Sequence, residues 1–138
     1  MFPMKLTPEL YFLTLVATAT ALMWIPYTLA RIATRGVMGA MANPDPSLPP
    51  EPAWAQRAKL AHANAIENLA VFAPLVLVAT AIGISTPATV FAAKLYLFAR
   101  LVHYVVYAAG IPVVRTLAFV VGAGATLVLA ATILASAT

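Results

Sequence analysis

The sequence predicts an all-α protein, a four-helix transmembrane bundle of up-down topology. Composition is the first reason. Hydrophobic residues make up 63% of the chain and charged residues 9%, with a mean hydropathy of +0.95, more apolar surface than a soluble domain could fold away from water. Segmentation is the second. Four long apolar stretches fill nearly all of the 138 residues, and at roughly 20 residues per crossing they leave no room for an extramembrane domain, so 1–138 reads as one integral membrane unit. The net charge of +4 sits on few, scattered basic residues, which suits membrane orientation and not nucleic acid. The lack of cysteine excludes disulfides, a thiol of the chain's own as nucleophile, and Cys-based metal sites.

The first span is expected over 8–34. Thr7 is a candidate N-cap, Pro8 suits the first turn, and Glu9 faces the positive end of the helix dipole. Pro26 should kink it, as membrane helices tolerate. Its apolar run exceeds the hydrophobic region of a signal peptide, so it is read as a retained span. Residues 35–53 hold Pro44, Pro46, Pro49, Pro50 and Pro52, which excludes helix and inner strand and predicts a stiff surface strap, with Trp54 anchoring its end at the interface. The second span is expected over 53–82, with Pro74 as a kink, followed by a tight turn at Gly83–Pro87. The third covers 88–108 and is closed by Gly110-Ile111-Pro112. The fourth covers 113–135, where Gly122-Ala123-Gly124 permits close helix approach.

Basic residues set the orientation. Arg31, Arg35, Arg57, Lys59 and Arg115 flank the first and third connections, while Lys5 stands alone at the other side. The positive-inside rule therefore predicts both termini outside and the 35–53 loop in the cytoplasm.

Polar groups inside the spans single out a site. At about 100° per residue, Arg57, Leu60, Asn64, Glu67, Asn68 and Val71 share one face of the second span. In the third, Tyr96, Arg100, His103, Tyr104 and Tyr107 recur at spacings of three and four. Glu67 and Arg100 enter the membrane to similar depth, so they are expected to pair, within one subunit or across two; such a pair serves structure and ligand contact equally well. His62 points away from Asn64 and suits packing. Lys94 lies off the arginine face and can snorkel outward. Two isolated histidines offer no metal site. Arg115 opens the fourth helix after a turn, where guanidinium and helix N-terminus together favour an anion or thiolate; a role in topology or in holding lipid phosphate weighs equally.

Two stretches carry a family resemblance. Ala61-His62-Ala63-Asn64-Ala65-Ile66-Glu67-Asn68 resembles the second-helix signature of microsomal glutathione transferases. So does Ala99-Arg100-Leu101-Val102-His103-Tyr104-Val105-Val106-Tyr107, continued by Arg115-Thr116-Leu117-Ala118-Phe119 and Gly122-Ala123-Gly124. The chain is similar to the MAPEG family, the membrane-associated proteins of eicosanoid and glutathione metabolism. The resemblance implies a homotrimer that takes glutathione as co-substrate in a cleft between subunits. It implies that Asn64 and Glu67 bind the peptide, with Arg100, His103 and Tyr107 in the same cleft, and that Arg115 stabilises the thiolate. A lipophilic electrophile would then arrive from the lipid, for conjugation or reduction. Two departures stand out. The family's usual arginine before Ala-His-x-Asn is Leu60 here, with Arg57 one turn back and Lys59 adjacent, and the turn before Arg115 is one residue shorter. A non-enzymatic lipid-binding or partner-presenting member of the family, and a bundle whose buried charges serve only assembly, remain the other readings.

Overall fold

The computed structural model describes residues 5–137. It is all-helical in the described residues: α1 (Pro8–Leu22), α2 (Trp24–Met41), α3 (Ala53–Ala81), α4 (Pro87–Ala109) and α5 (Pro112–Ala135). Taking α1 and α2 as one broken unit, four helices are long and apolar enough to cross a membrane.

The first span differs from expectation in two places. Its break falls at Met23, ahead of Pro26. Proline at 26 has no N–H to give the carbonyl one turn earlier, and the chain resolves the loss there: Met23 N bonds back to the Thr20 carbonyl at 3.3 Å. The Tyr104 hydroxyl of α4 donates to the Met23 carbonyl at 2.8 Å. The loop expected from residue 35 begins later, because helix continues to Met41 with an interruption at Gly36 (φ 73°, ψ 168°). The prolines that forbid helix start at Pro44, so nothing in Val37–Met41 prevents it. Only 42–52 form the strap.

That strap is latched. Arg31 Nε donates to Glu51 Oε1 at 2.7 Å, Arg35 Nη2 lies 3.4 Å from Glu51 Oε2, and Arg35 Nε donates to the Pro49 carbonyl at 2.8 Å. Gln56 Nε2 adds a bond to the Glu51 carbonyl at 2.8 Å.

Paired contacts show how the helices lie. From α3 to α4 they are Arg57 with Ala108, Asn64 with Arg100, and Phe72 with Tyr96, so this pair runs antiparallel. From α4 to α5 they are Gly122 against Tyr96, Ala99 and Arg100, then His103 with Phe119 and Tyr107 with Arg115, again antiparallel. The apolar core gathers Leu13, Val16, Phe72, Val76, Tyr96 and Leu129, with the Phe72 and Tyr96 rings stacked at 3.8 Å and 5°.

Polar latches also close the two ends of α4. At its start Thr86 and Thr89 cap each other, and Thr7 caps α1 through Leu10 N at 3.2 Å. Glu9, read from the sequence as a dipole residue, is 1% exposed. Its carboxylate accepts from Ser85 Oγ at 3.0 Å and from Thr89 Oγ1 at 2.5 Å. At the far end Gly110 takes φ 80°, and a Cβ there would stand 3.2 Å from the Arg57 guanidinium carbon. Arg57 Nε donates to the Ala108 carbonyl at 3.0 Å, satisfying an acceptor that the helix end leaves open.

Two outcomes follow from these latches. Glu9→Ala should lower stability by about 2–3 kcal/mol, as hydrogen bonds to a buried charged group are lost, read as thermal unfolding in detergent; an unchanged midpoint would remove the latch role. For the strap, the hydrogen bond from Arg31 is the main cause holding the Glu51 carboxyl below its ordinary 4.5. A group whose folded pKa is lowered stabilises the fold fully above its free value and loses that contribution as pH falls through the folded value. Limited proteolysis within 42–52 should therefore be slow at neutral pH and accelerate only below about pH 4.5, an acceleration absent from Glu51→Gln.

Candidate functional site

The polar residues of α3, α4 and α5 meet where hydrocarbon-facing helices would otherwise carry only apolar side chains. Arg100 is the centre. It is 3% exposed, and its Nη2 donates to Asn64 Oδ1 at 2.6 Å. Asn68 Nδ2 holds that asparagine from the next turn, bonding its carbonyl at 2.8 Å and its Oδ1 at 3.2 Å. Gly122 of α5 packs against the arginine stem: a Cβ there would sit 3.5 Å from Arg100 Cδ, an ordinary contact distance.

From Arg100 the contacts continue along α4. His103 Nδ1 lies 3.4 Å from Arg100 Nη2. The His103 ring meets Tyr107 edge-on at 5.5 Å, and the Arg115 guanidinium carbon sits 4.6 Å from the Tyr107 ring centre, within cation–π range. Asn64, Arg100, His103, Tyr107 and Arg115 thus form one continuous column across three helices. Periodicity had placed the first four on facing stripes; the short turn at Gly110 brings Arg115 over Tyr107.

Two sequence-derived candidates stand elsewhere. Arg57 is committed to the end of α4. Glu67 is exposed and makes no hydrogen bond or ion pair among the described residues. The Arg100–Glu67 pair is therefore not formed within the chain. Glu67 lies one turn beyond Asn64 and about 60° around the helix from it, which turns its carboxylate off the Arg100 side, and the shorter Asn64 amide takes the guanidinium.

The arginine is not fully satisfied. Arg100 Nε is buried with no acceptor, as is the Tyr96 hydroxyl. A buried guanidinium carrying a neutral partner and a free N–H keeps a positive potential that favours an anion nearby. Beside it, Asn64 retains its amide donors and Glu67 its acceptors. Among the described residues no three His, Asp or Glu side chains gather as a metal site.

Other polar pairs were not foreseen. His62, expected to pack, shares a 2.7 Å hydrogen bond with the Tyr27 hydroxyl and so joins α2 to α3. The Tyr104 bond to Met23 falls at the break in the first span, and a continuous apolar sequence gives no sign of one beyond Pro26.

Asn64→Leu should destabilise the fold by about 1.5–3 kcal/mol, because it leaves a buried cation without its charge-assisted hydrogen bond. Exposed Asn43→Leu in the strap should change little. Equal unfolding midpoints for the two variants in detergent would show that Arg100 finds another partner.

A family model described as the MAPEG family matches residues 11–135, a range that contains the whole column. No curated protein matches the sequence.

Proposed function

Since the chain belongs to the MAPEG family, as an integral, multi-pass membrane member with four spanning helices, we propose that it is a glutathione-dependent transferase or peroxidase acting on lipophilic electrophiles. The observation that carries this reading is the continuous column from Asn64 through Arg100, His103 and Tyr107 to Arg115. It gathers two guanidinium groups, neither paired with a carboxylate among the described residues.

In this reading Asn64 and the column bind the peptide of glutathione, and the Glu67 carboxylate takes its α-amino group. The Arg115 guanidinium stands against the sulfur. The thiol gives up its proton to solvent and the resulting thiolate is held by that positive charge, which is what makes sulfur nucleophilic at neutral pH. The thiolate then forms a carbon–sulfur bond with an electrophile that enters from the lipid, and a leaving group departs with the bond's electron pair. With a lipid hydroperoxide, the thiolate attacks the terminal peroxide oxygen instead; the O–O bond breaks, the alkoxide takes a proton from solvent and leaves as the alcohol, and the glutathione sulfenic acid condenses with a second glutathione to give the disulfide and water. Arg57 would contribute only indirectly, by fixing the end of α4 and the turn that carries Arg115. A homotrimer with its clefts open to the cytoplasm, both termini outside, completes the proposal.

Arg115 stacks on Tyr107 with no acceptor of its own among the described residues, so its charge is available. Arg115→Ala should abolish the ultraviolet thiolate absorbance that develops on adding glutathione and lower kcat/KM on the order of 100-fold, the typical loss when one charge-stabilising donor is removed. An unchanged signal would rule out this assignment.

One observation favours a second reading, a non-enzymatic lipid-binding or partner-presenting protein. Leu60 stands where the family's usual arginine would contact a glutathione carboxylate, and its side chain is 58% exposed. Glutathione binding without any thiolate signal would support that reading. Under the enzymatic one, the open position has room for a longer side chain, and Leu60→Arg should tighten glutathione binding about fivefold or more, as one added charge-assisted hydrogen bond allows; weaker binding would show that the peptide does not use this surface.

A further inference from the structure

One member of the polar stripe on α4 stays outside the column. Tyr96, Arg100, His103, Tyr104 and Tyr107 share the stripe in projection, yet Tyr104 turns to the first span and donates its hydroxyl to the Met23 carbonyl at 2.8 Å. Met23 is 6% exposed and ends α1 where α2 begins, and no side chain caps α2 there. A carbonyl oxygen has two lone pairs, so this one can take a hydroxyl without giving up a helical partner. The break is tied a second time. Tyr27, one turn further on, shares its 2.7 Å hydrogen bond with His62 of α3, and it lines the pocket beneath the strap with Arg31, Arg35 and Lys59. Both α3 and α4, which carry most of the column, are therefore pinned to the same break.

The place of the Tyr104 bond matters more than its strength. Tyr104 lies one turn from Arg100 on one side and one turn from Tyr107 on the other. The other ties of α4 sit near its ends. Thr89, bonded to Glu9, stands about 16 Å along the axis from Arg100, and Arg57 holds the Ala108 carbonyl in the last turn. Side-chain atoms stand about 5–6 Å from a helix axis, so a rotation of α4 by about 10° displaces them by about 1 Å. Such a shift takes the 2.6 Å bond from Arg100 to Asn64 beyond hydrogen-bond range. It also moves the Tyr107 ring against the Arg115 guanidinium, which it meets at 4.6 Å. Misplacement of that size costs on the order of 100-fold in a reaction that depends on alignment.

We propose that Tyr104 is a positioning residue: its hydroxyl, fixed on the Met23 carbonyl, sets the rotation of α4 at which Arg100 meets Asn64 and Tyr107 meets Arg115. In this role it touches neither the peptide nor the thiol. A phenol suits the task, because ring and oxygen form one rigid arm with two side-chain torsions, and a bond at its tip fixes the helix behind it. The broken first span is then the template against which α4 is turned. As a part of the thiolate chemistry this role rests on the glutathione reading; as the contact that aligns α4 it stands on the geometry alone.

Tyr104→Phe keeps the ring and removes only the hydroxyl, and the Tyr27–His62 bond still holds the break, so the variant should fold. For the full chain in detergent at saturating glutathione, its thiolate absorbance at neutral pH should fall about tenfold or more. Thr7→Ala, which removes a cap hydrogen bond at the start of α1 and away from the column, is the destabilised comparison. It should lower the unfolding midpoint and leave the absorbance unchanged. Equal absorbance from Tyr104→Phe and Thr7→Ala overturns the positioning role. A second measurement needs no glutathione. Asn64→Leu should lower the unfolding midpoint of Tyr104→Phe by only about half as much as it lowers the parent's, because the Arg100 bond is already loosened. Equal decrements overturn the role whether or not a thiolate forms. A parent without any thiolate signal fails the glutathione reading, and unequal decrements then still support Tyr104 as the residue that aligns α4.

Discussion

The structure turns on one buried cation. Arg100 lies in the middle of a four-helix membrane protein, yet no carboxylate among the described residues reaches it. Desolvating a guanidinium costs several kcal/mol even after relaxation, and a single amide oxygen from Asn64 offsets only part of that. The remaining arrangement follows. Gly122 of α5 lies against the arginine stem, and Tyr96 and Phe72 stack to seal the apolar core. A carboxylate in place of Asn64 would have stabilised the fold more and cancelled the potential. The neutral partner leaves a net positive centre in a low-dielectric place, and that is the condition a bound anion needs.

Such a centre is useful only if its helices hold still. Three polar contacts outside the column supply this, all touching α4 or its flanking turn. Glu9 ties the start of the helix to α1, Tyr104 ties its middle to the broken first span, and Arg57 ties its end to α3. Each joins residues at least 50 positions apart, so each fixes one helix against another. The Glu9–Thr89 bond is buried, and the other two are half-buried.

Much of this was legible in the sequence, for a definite reason. Helix and span follow from apolar runs of the right length, and the cap at Thr7 follows from local chemistry. The column was legible as two polar stripes, because spacing of three and four fixes which residues share a face. What spacing leaves open is the rotation and relative height of two helices. A few tens of degrees decide whether Arg100 meets Asn64 or Glu67, and the sequence favoured the charged partner on electrostatic grounds alone. Arg57 shares the face of Asn64 in projection, but it sits two turns nearer the helix start, level with the end of α4, and was taken by the Ala108 carbonyl. Glu9 has partners at Ser85 and Thr89, too far along the chain for any local pattern to reveal. The break at Met23 and the helix beyond Gly36 are invisible for the opposite reason: their sequences permit a continuous helix or a loop equally, and tertiary contacts choose.

Leu60 connects the two positive regions of the molecule. It lines the pocket beneath the strap and lies one helical turn before Asn64, so it stands between the Arg31–Arg35–Lys59 cluster and the column. An arginine there would join them into one basic surface, and a single anion could spread over both. A leucine interrupts that surface with an apolar side chain, exposed at the level where strap and membrane meet. The leucine thus leaves an exposed apolar side chain between two clusters of positive charge, and the two stay electrostatically distinct.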